Sequence, residues 1–132
     1  MRLDHFVGLE YTDKGRNFSG VDCYGLLYLV YKETQGIVLP SYVTDYVNSV
    51  DRKATADLIA GKLDPWEKVA KGSEIKFDAI LIRIGRDVMH VGLVAEPGKM
   101  LHIQSGELSR IEPYRTGIWQ HRIAGFYRYR GS

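Results

Sequence analysis

The residues best suited to nucleophilic chemistry in this chain of 132 residues are its single cysteine, Cys23, and its four histidines. Cys23 directly follows Asp22 and precedes an apolar run with helical spacing, in the stretch FSGVDCYGLLYLVYKE. A thiol in the first turn of a helix faces unpaired backbone N–H groups and the positive end of the helix dipole, which favour the reactive thiolate. A small apolar residue on a buried helix face is the alternative, and position alone leaves the two interpretations level.

A nucleophilic thiol needs an imidazole to accept its proton and a third polar group to orient that ring. His90 opens the strand-like segment HVGLVAE, in which Gly92 leaves space on the same face, and His102 lies in the next such segment, MLHIQSG. The intervening AEPGK predicts a hairpin. Adjacent antiparallel strands can place two imidazoles within hydrogen-bond distance, which is the geometry that a base and its orienter require.

Other assignments of the polar residues stay open at this stage. His5 and His121 are flanked by ordinary polar sequence, and we predict that both are half-buried side chains outside any site. If His102 pairs only with backbone, Gln104 or Glu107 is the alternative orienter. A zinc site is not predicted, because the chain lacks Cys-x-x-Cys, His-x-x-x-His and Glu-His spacings.

The element that must carry Cys23 is a helix. The apolar spacing of residues 26–31 predicts a buried helix from about Cys23 to about Thr34. Asp22 is a suitable N-cap, which places the thiol in the first turn, and Gly36 is a suitable stop.

The rest of the chain predicts helices followed by strands, and therefore a single α+β domain over residues 1–132. Its predicted elements are a short helix or turn at 3–11, a loop at 12–20, a connection at 39–49, a capped surface helix from Ser49 to about Gly61 or Leu63, an extended or partly helical segment at 64–76, and five strands within 79–130.

Composition excludes several classes of protein. Apolar residues at 45%, charged residues at 26% and 14 glycines are typical of a soluble globular domain. The net charge of +2 comes without a Lys/Arg run, so nucleic acid is not a predicted partner. The N-terminus carries acids and a histidine where a signal peptide is apolar, and no segment reaches the apolar length of a membrane span. We therefore predict synthesis in the cytoplasm without membrane insertion.

The order of motifs resembles the NlpC family of cell-wall cysteine peptidases. GLEYTDKGRNFSGVDCYGLLYLVY, residues 8–31, is similar to the family signature of a Gly-x-x-Tyr segment, a glycine-containing loop and an Asp-Cys-x-Gly-Leu helix start. DAILIRIGRDVMHVGLVAEPGKMLHIQSG, residues 78–106, resembles the remainder: an Asp-bearing turn, a His-Val-Gly strand and a further strand whose polar residue is a histidine. The resemblance covers nearly the whole chain.

The resemblance implies a papain-like fold, in which N-terminal helices, one bearing the nucleophile, pack on a small antiparallel sheet. It assigns Cys23 as nucleophile, His90 as general base and His102 as the residue that orients it. It also assigns Tyr11 to the substrate or the oxyanion, and Asp22 to a substrate amine as well as to the helix cap. A packed ring for Tyr11 and a pure N-cap for Asp22 are the alternatives.

The sequence departs from the family pattern beside the nucleophile. Tyr24 replaces the frequent serine and joins the predicted substrate-contacting residues, and TDKGRN replaces the tryptophan and double glycine of many members. With the C-terminal WQHRIAGFYRYRG, these departures look closer to the phage and prophage tail-assembly branch.

The predicted function is therefore hydrolysis of amide bonds in peptidoglycan stem or cross-link peptides. The bond between D-glutamate and a diamino acid is one such target. Phage tail proteins are the predicted partners, incorporation into a tail that acts on the cell wall is the predicted location, and no cofactor is implied. The alternatives are a catalytically silent tail-tip structural or binding protein, and an acyltransferase or amidase that uses the same Cys-His-His site.

Overall fold

The computed structural model of this protein describes residues 3–40, 66–85 and 87–130. The surface helix predicted from Ser49, and most of the connection before it, lie outside these residues. The elements, in chain order, are a 3₁₀ turn (Asp4–Phe6), β1 (Arg16–Asn17), β2 (Gly20–Val21), α1 (Cys23–Val30), a π-helical turn (Tyr31–Gln35), β3 (Trp66–Val69), β4 (Ala79–Ile84), β5 (Asp87–Glu96), β6 (Lys99–His102), β7 (Arg110–Pro113), a second 3₁₀ turn (Gly117–Trp119) and β8 (Ile123–Tyr129).

The predicted helix is confirmed, although its last part is not α-helical. After Val30 the chain continues as the π-helical turn and ends at Gly36, whose φ of 67° is left-handed as expected of a glycine stop. The Thr34 hydroxyl donates to the Val30 carbonyl oxygen at 2.6 Å. Such side-chain competition for a backbone carbonyl disturbs a helix locally, and it accompanies the change of helix type here.

The predicted strands form one antiparallel sheet in the order β3-β8-β4-β5-β6-β7, and the predicted α+β class is confirmed. The segment 64–76 contributes β3, so its extended interpretation is correct over Trp66–Val69. The predicted hairpin between His90 and His102 is the β5-β6 pair. The sheet therefore brings the two histidine-bearing strands side by side.

Both faces of the central sheet are covered. Side chains alternate between the two faces along β4: Leu81 packs with α1, whereas Ile80 and Ile82 belong to the opposite cluster. The cluster against α1 includes Cys23, Leu27, Leu81, Val91, Leu93 and Leu101. The opposite cluster includes Ile80, Ile82, Val94, Met100, Trp119 and Phe126.

The turn after α1 is tied to the sheet by a buried polar anchor at Asp78. This carboxylate accepts from Arg128 Nε at 2.9 Å and Nη2 at 2.8 Å, and from the Ile75 backbone N–H at 2.9 Å. Beside it the Tyr31 hydroxyl donates to the Phe77 carbonyl oxygen at 2.5 Å, and burial raises the pKa of Tyr31. With this end of the helical segment held, the opposite end presents Cys23.

Candidate active site

Cys23 is the first residue of α1, and Asp22 caps that helix as predicted. The Asp22 backbone is extended (φ −96°, ψ −170°), and its Oδ1 accepts from the Gly25 backbone N–H at 2.7 Å. The Leu26 N–H donates to the Asp22 carbonyl oxygen at 3.0 Å. Cys23 is buried, with 2% of its surface exposed. It therefore lies in the first turn, where backbone N–H groups and the helix dipole favour a thiolate.

Residues 14–16, in the loop that departs from the family pattern, surround the Asp22 carboxylate with hydrogen-bond donors. Arg16 Nη1 donates to Asp22 Oδ1 at 2.9 Å and to the Gly15 carbonyl oxygen at 2.8 Å. The Lys14 backbone N–H donates to Oδ2 at 3.1 Å. These contacts favour a structural role for the carboxylate, and its contact with a substrate amine stays a prediction.

Tyr24 is a buried packing residue in this structure. Its ring is fully buried, its hydroxyl donates to the Pro40 carbonyl oxygen at 2.6 Å, and the Arg16 guanidinium lies 5.4 Å from the ring centroid. These contacts explain why the position after Cys23 tolerates a bulky side chain. They favour packing over substrate contact, which stays a prediction.

Tyr11 is held beside the segment that leads into α1. It forms a parallel bridge with Val21, flanked by hydrogen bonds of 3.0 Å from the Val21 N–H to the Glu10 carbonyl oxygen and from the Thr12 N–H to the Val21 carbonyl oxygen. Its half-buried side chain lines a cavity of about 270 Å³ together with Glu10, Glu107 and Leu108. The tyrosine is thus anchored close in the fold to the nucleophile, and its role stays a prediction.

The two predicted imidazoles are fully buried and in direct contact. His90 Nε2 and His102 Nδ1 are 2.8 Å apart, and the ring planes cross at 67°. Gly92 makes room for this contact, because a Cβ at that position would lie 3.3 Å from His102 Cβ. The expectation that neighbouring strands bring these rings within hydrogen-bond distance is confirmed.

The polar chain continues to Glu112 on β7, which sequence analysis missed. His102 Nε2 lies 2.5 Å from Glu112 Oε2, and the same oxygen accepts from Arg110 Nε at 2.8 Å. Gln104 and Glu107, the alternative orienters, instead hold the guanidinium of Arg110, at 2.5 Å and 3.0 Å respectively. The alternation of charges in RIEP was the available signal, but it shows neither the partner strand nor the register.

Burial and hydrogen bonding set the charges along this chain. Burial lowers the pKa of His102, and the hydrogen bond to Glu112, which acts in the opposite direction, does not restore the ordinary value. Partial burial alone would raise the pKa of Glu112, but the hydrogen bond from His102 and the nearby Trp119 outweigh it, so this pKa lies below the usual glutamate value. Near pH 7, His102 in this series of hydrogen-bonded side chains is therefore neutral and Glu112 is ionised.

Trp119 covers the imidazole pair and was also missed. Its ring centroid lies 6.2 Å from that of His90, nearly parallel at 27°, and 5.1 Å from that of His102, nearly perpendicular at 86°. Only 2% of Trp119 is exposed. The indole therefore shields the two rings from water.

The helix that begins at Cys23, α1, packs against β5, the strand that carries His90. Cys23 packs in the same cluster as Val91, the residue after His90. His90 itself stacks on Trp119 of the opposite cluster. A thiol, an imidazole pair and a carboxylate are the groups that nucleophilic acyl chemistry uses.

The remaining candidates lie on the surface. His5 and His121 are both exposed, so the prediction that they are half-buried is wrong. Within residues 3–40, 66–85 and 87–130, no group of three or more His, Cys, Asp or Glu side chains is arranged to hold a metal ion. None of the helices described there is long and apolar enough to cross a membrane.

Comparison with known proteins places this architecture among characterised domains. Residues 8–128 match the model of the NlpC/P60 family. A curated relative, tail tip assembly protein K of Escherichia phage N15, is 29% identical over 117 residues, which cover 83% of this chain and 45% of the phage protein. The chain thus spans less than half the length of that relative.

Two solved structures share the fold. An NlpC/P60 family protein from Bacillus cereus superposes with a TM-score of 0.68 at 25% identity, over 96% of this chain and 37% of that protein. The NlpC/p60 domain of peptidoglycan hydrolase SagA has a TM-score of 0.57 at 20% identity, over 92% of this chain and 87% of that domain. At this lower identity the likeness shows the fold alone.

Proposed function

The chain belongs to the NlpC/P60 family, and from this premise we propose that it is a cysteine peptidase that hydrolyses amide bonds in bacterial cell-wall peptides. Family members are generally cysteine peptidases or amidases that act on peptidoglycan. One observation carries the proposal for this chain: Cys23 begins a capped helix that packs against β5, the strand on which His90 lies within hydrogen-bond distance of His102.

The proposed reaction proceeds through an acyl-enzyme. His90, oriented by His102, takes the thiol proton while the Cys23 sulfur attacks the amide carbonyl carbon. Collapse of the tetrahedral intermediate breaks the C–N bond, and His90 returns the proton to the leaving amine. A water molecule, deprotonated by His90, then hydrolyses the thioester and releases the carboxylate and Cys23.

The oxyanion of the tetrahedral intermediate needs donors aimed at it. The Cys23 backbone N–H at the helix start is the first proposed donor, and the Tyr11 hydroxyl is the second. One such donor contributes about 3 kcal/mol to lowering the barrier. Both assignments rest on position in the fold, since Tyr11 is anchored to Val21, two residues before Cys23.

The substrate class and the setting are proposals that follow from the relatives. SagA is a peptidoglycan hydrolase and the curated relative is a phage tail tip assembly protein. We infer that this chain acts on stem or cross-link peptides, including the amide between D-glutamate and a diamino acid, and that it is carried to the wall by a phage tail. Tail proteins are then its partners.

Replacement of the nucleophile tests the proposal. We expect Cys23→Ala to abolish release of soluble muropeptides from purified peptidoglycan, followed by mass spectrometry, because no other group can form the thioester. Circular dichroism and the melting temperature should stay close to wild type, and His121→Ala, which changes an exposed histidine, should retain full activity. Digestion by Cys23→Ala at the wild-type rate would overturn the assignment.

The phage relative favours one alternative, a tail-tip structural protein that keeps the fold without turnover. Thiol reactivity separates the two. A catalytic Cys23 should be alkylated rapidly, with an apparent pKa well below the ordinary value of about 8.5. Slow alkylation with an ordinary pKa favours the structural protein.

A further inference from the structure

The carboxylate at the end of the histidine chain has a role beyond that of a surface charge. We propose that Glu112, held by Arg110, is a positioning residue that sets the tautomers of both imidazoles and so makes His90 Nδ1 the atom that accepts the thiol proton. This inference rests on the proposed function of Cys23 and His90, but its statement about proton positions can be tested without turnover.

The first step is the direction of the bond between Glu112 and His102. An ionised carboxylate only accepts hydrogen bonds, so at 2.5 Å the hydrogen must reside on His102 Nε2. Arg110 Nε donates to the same carboxylate oxygen at 2.8 Å, which favours the ionised form. Glu112 keeps about a quarter of its side chain exposed, so its charge is not fully desolvated.

The second step carries this direction to His90. A neutral imidazole has one N–H, and burial of His102 favours the neutral form. With its hydrogen on Nε2, His102 can only accept at Nδ1. The 2.8 Å contact then requires that His90 Nε2 donates. His90 therefore has a hydrogen on Nε2, and in its neutral form this leaves the lone pair on Nδ1.

The third step is what happens without Glu112. The two neutral histidines could then reverse their hydrogen bond, with His102 Nδ1–H donating to His90 Nε2. That order puts the hydrogen on His90 Nδ1, where it blocks proton acceptance. Trp119 shields the rings from water, so a solvent acceptor would not readily replace the carboxylate. Loss of Glu112 should thus populate an incompetent tautomer.

Histidine nitrogen NMR on the full-length protein tests the inference directly. In two-bond proton–nitrogen spectra near pH 7, wild type should show hydrogen on Nε2 of both buried histidines and an unprotonated Nδ1 on His102. Hydrogen on His102 Nδ1, or a His90 ring with hydrogen on Nδ1 and none on Nε2, would overturn the proposal, whatever the variants do. Because this experiment needs no turnover, wild type that does not digest peptidoglycan but shows these tautomers would refute the proposed function alone.

Variants at two glutamates supply a matched comparison. Glu112→Leu removes the acceptor, and we expect a mixture of tautomers together with a 10- to 100-fold loss of kcat/KM, mostly in kcat. Glu67→Leu makes the same substitution at an exposed residue that pairs with Arg130, away from the histidines, and it should change neither. Glu112→Asp, which keeps the carboxylate, should restore part of the wild-type tautomer population. Tautomers in a folded Glu112→Leu identical to wild type would contradict the role of Glu112.

Discussion

Around Cys23, the hydrogen bonds to the Asp22 carboxylate come from residues three to eight positions away in the chain. Around His90 and His102, the partners are ten and twelve positions apart and lie on three different strands. The nucleophile half of the site is therefore assembled by a loop and a helix start. The imidazole half exists only when β5, β6 and β7 are paired in register.

The two halves also differ in where their charges lie. The nucleophile half contains a buried ion pair, since the side chains of Arg16 and Asp22 are 12% and 2% exposed. In the imidazole half, burial lowers the pKa of His102 and favours its neutral form, and the ion pair of Glu112 and Arg110 lies at the partly exposed end. We therefore expect substitutions in the nucleophile half to lower stability, and substitutions in the imidazole half to alter the placement of protons.

The largest expected effect on stability is at the helix cap. Asp22→Ala removes the cap and leaves the Arg16 guanidinium without its carboxylate, and we expect a loss of about 3 kcal/mol in the free energy of unfolding. Urea denaturation measures it. Asp22→Asn keeps a cap acceptor and should lose less. A loss below about 0.5 kcal/mol in Asp22→Ala would contradict the expectation that substitutions in the nucleophile half lower stability.

A smaller effect is expected from crowding at the motif glycine. Alanine normally stabilises a helix by about 1 kcal/mol relative to glycine. At Gly25, however, a Cβ would lie 2.0 Å from the Gly15 carbonyl oxygen, so we expect Gly25→Ala to destabilise the protein by about 2 kcal/mol. Thermal and urea unfolding give the sign.

Gly92→Ala is the matched change in the imidazole half. Its Cβ would meet His102 Cβ at 3.3 Å, a much milder contact, so we expect a smaller loss of stability. The misplacement of His102 should instead reduce activity. Equal stability losses at Gly25 and Gly92 would show that the halves respond alike, contrary to the comparison.

The smallest expected effect is acid destabilisation from the imidazole half. The pKa of His102 is lowered on folding, so between its folded value and the ordinary 6.5 the unfolded chain binds the proton and the folded chain does not. Stability should therefore fall as the pH drops below about 6.5, by at most about 1.4 kcal/mol per pH unit for this one proton.

Glu112 acts in the same direction at lower pH. Its folded pKa is also lowered, so its contribution is present above the ordinary 4.5 and is lost as the pH falls through the folded value. Unfolding curves from pH 7.5 to about 2 measure both contributions, with His102→Gln as the comparison. A pH dependence in His102→Gln identical to wild type between pH 6.5 and 5 would contradict the assignment to His102.

Local patterns in the sequence predicted the elements of the nucleophile half. The apolar spacing after Asp22 predicted α1, its cap and its glycine stop, because helix ends are determined by residues a few positions apart. The strand segments and the β5-β6 hairpin were predicted for the same reason. The exposure of His5 and His121 was not predicted, because the burial of a side chain depends on what packs over it.

By itself, then, the amino-acid sequence determined the elements, the thiol at a helix start and the two histidines on paired strands. Only the tertiary structure decided that Glu112 completes the chain and that Trp119 covers it. The pairing of β6 with β7 places Arg110 opposite His102, and a shift of one residue would send Glu112 to the other face. Register is a property of the assembled sheet, and no short-range pattern specifies it.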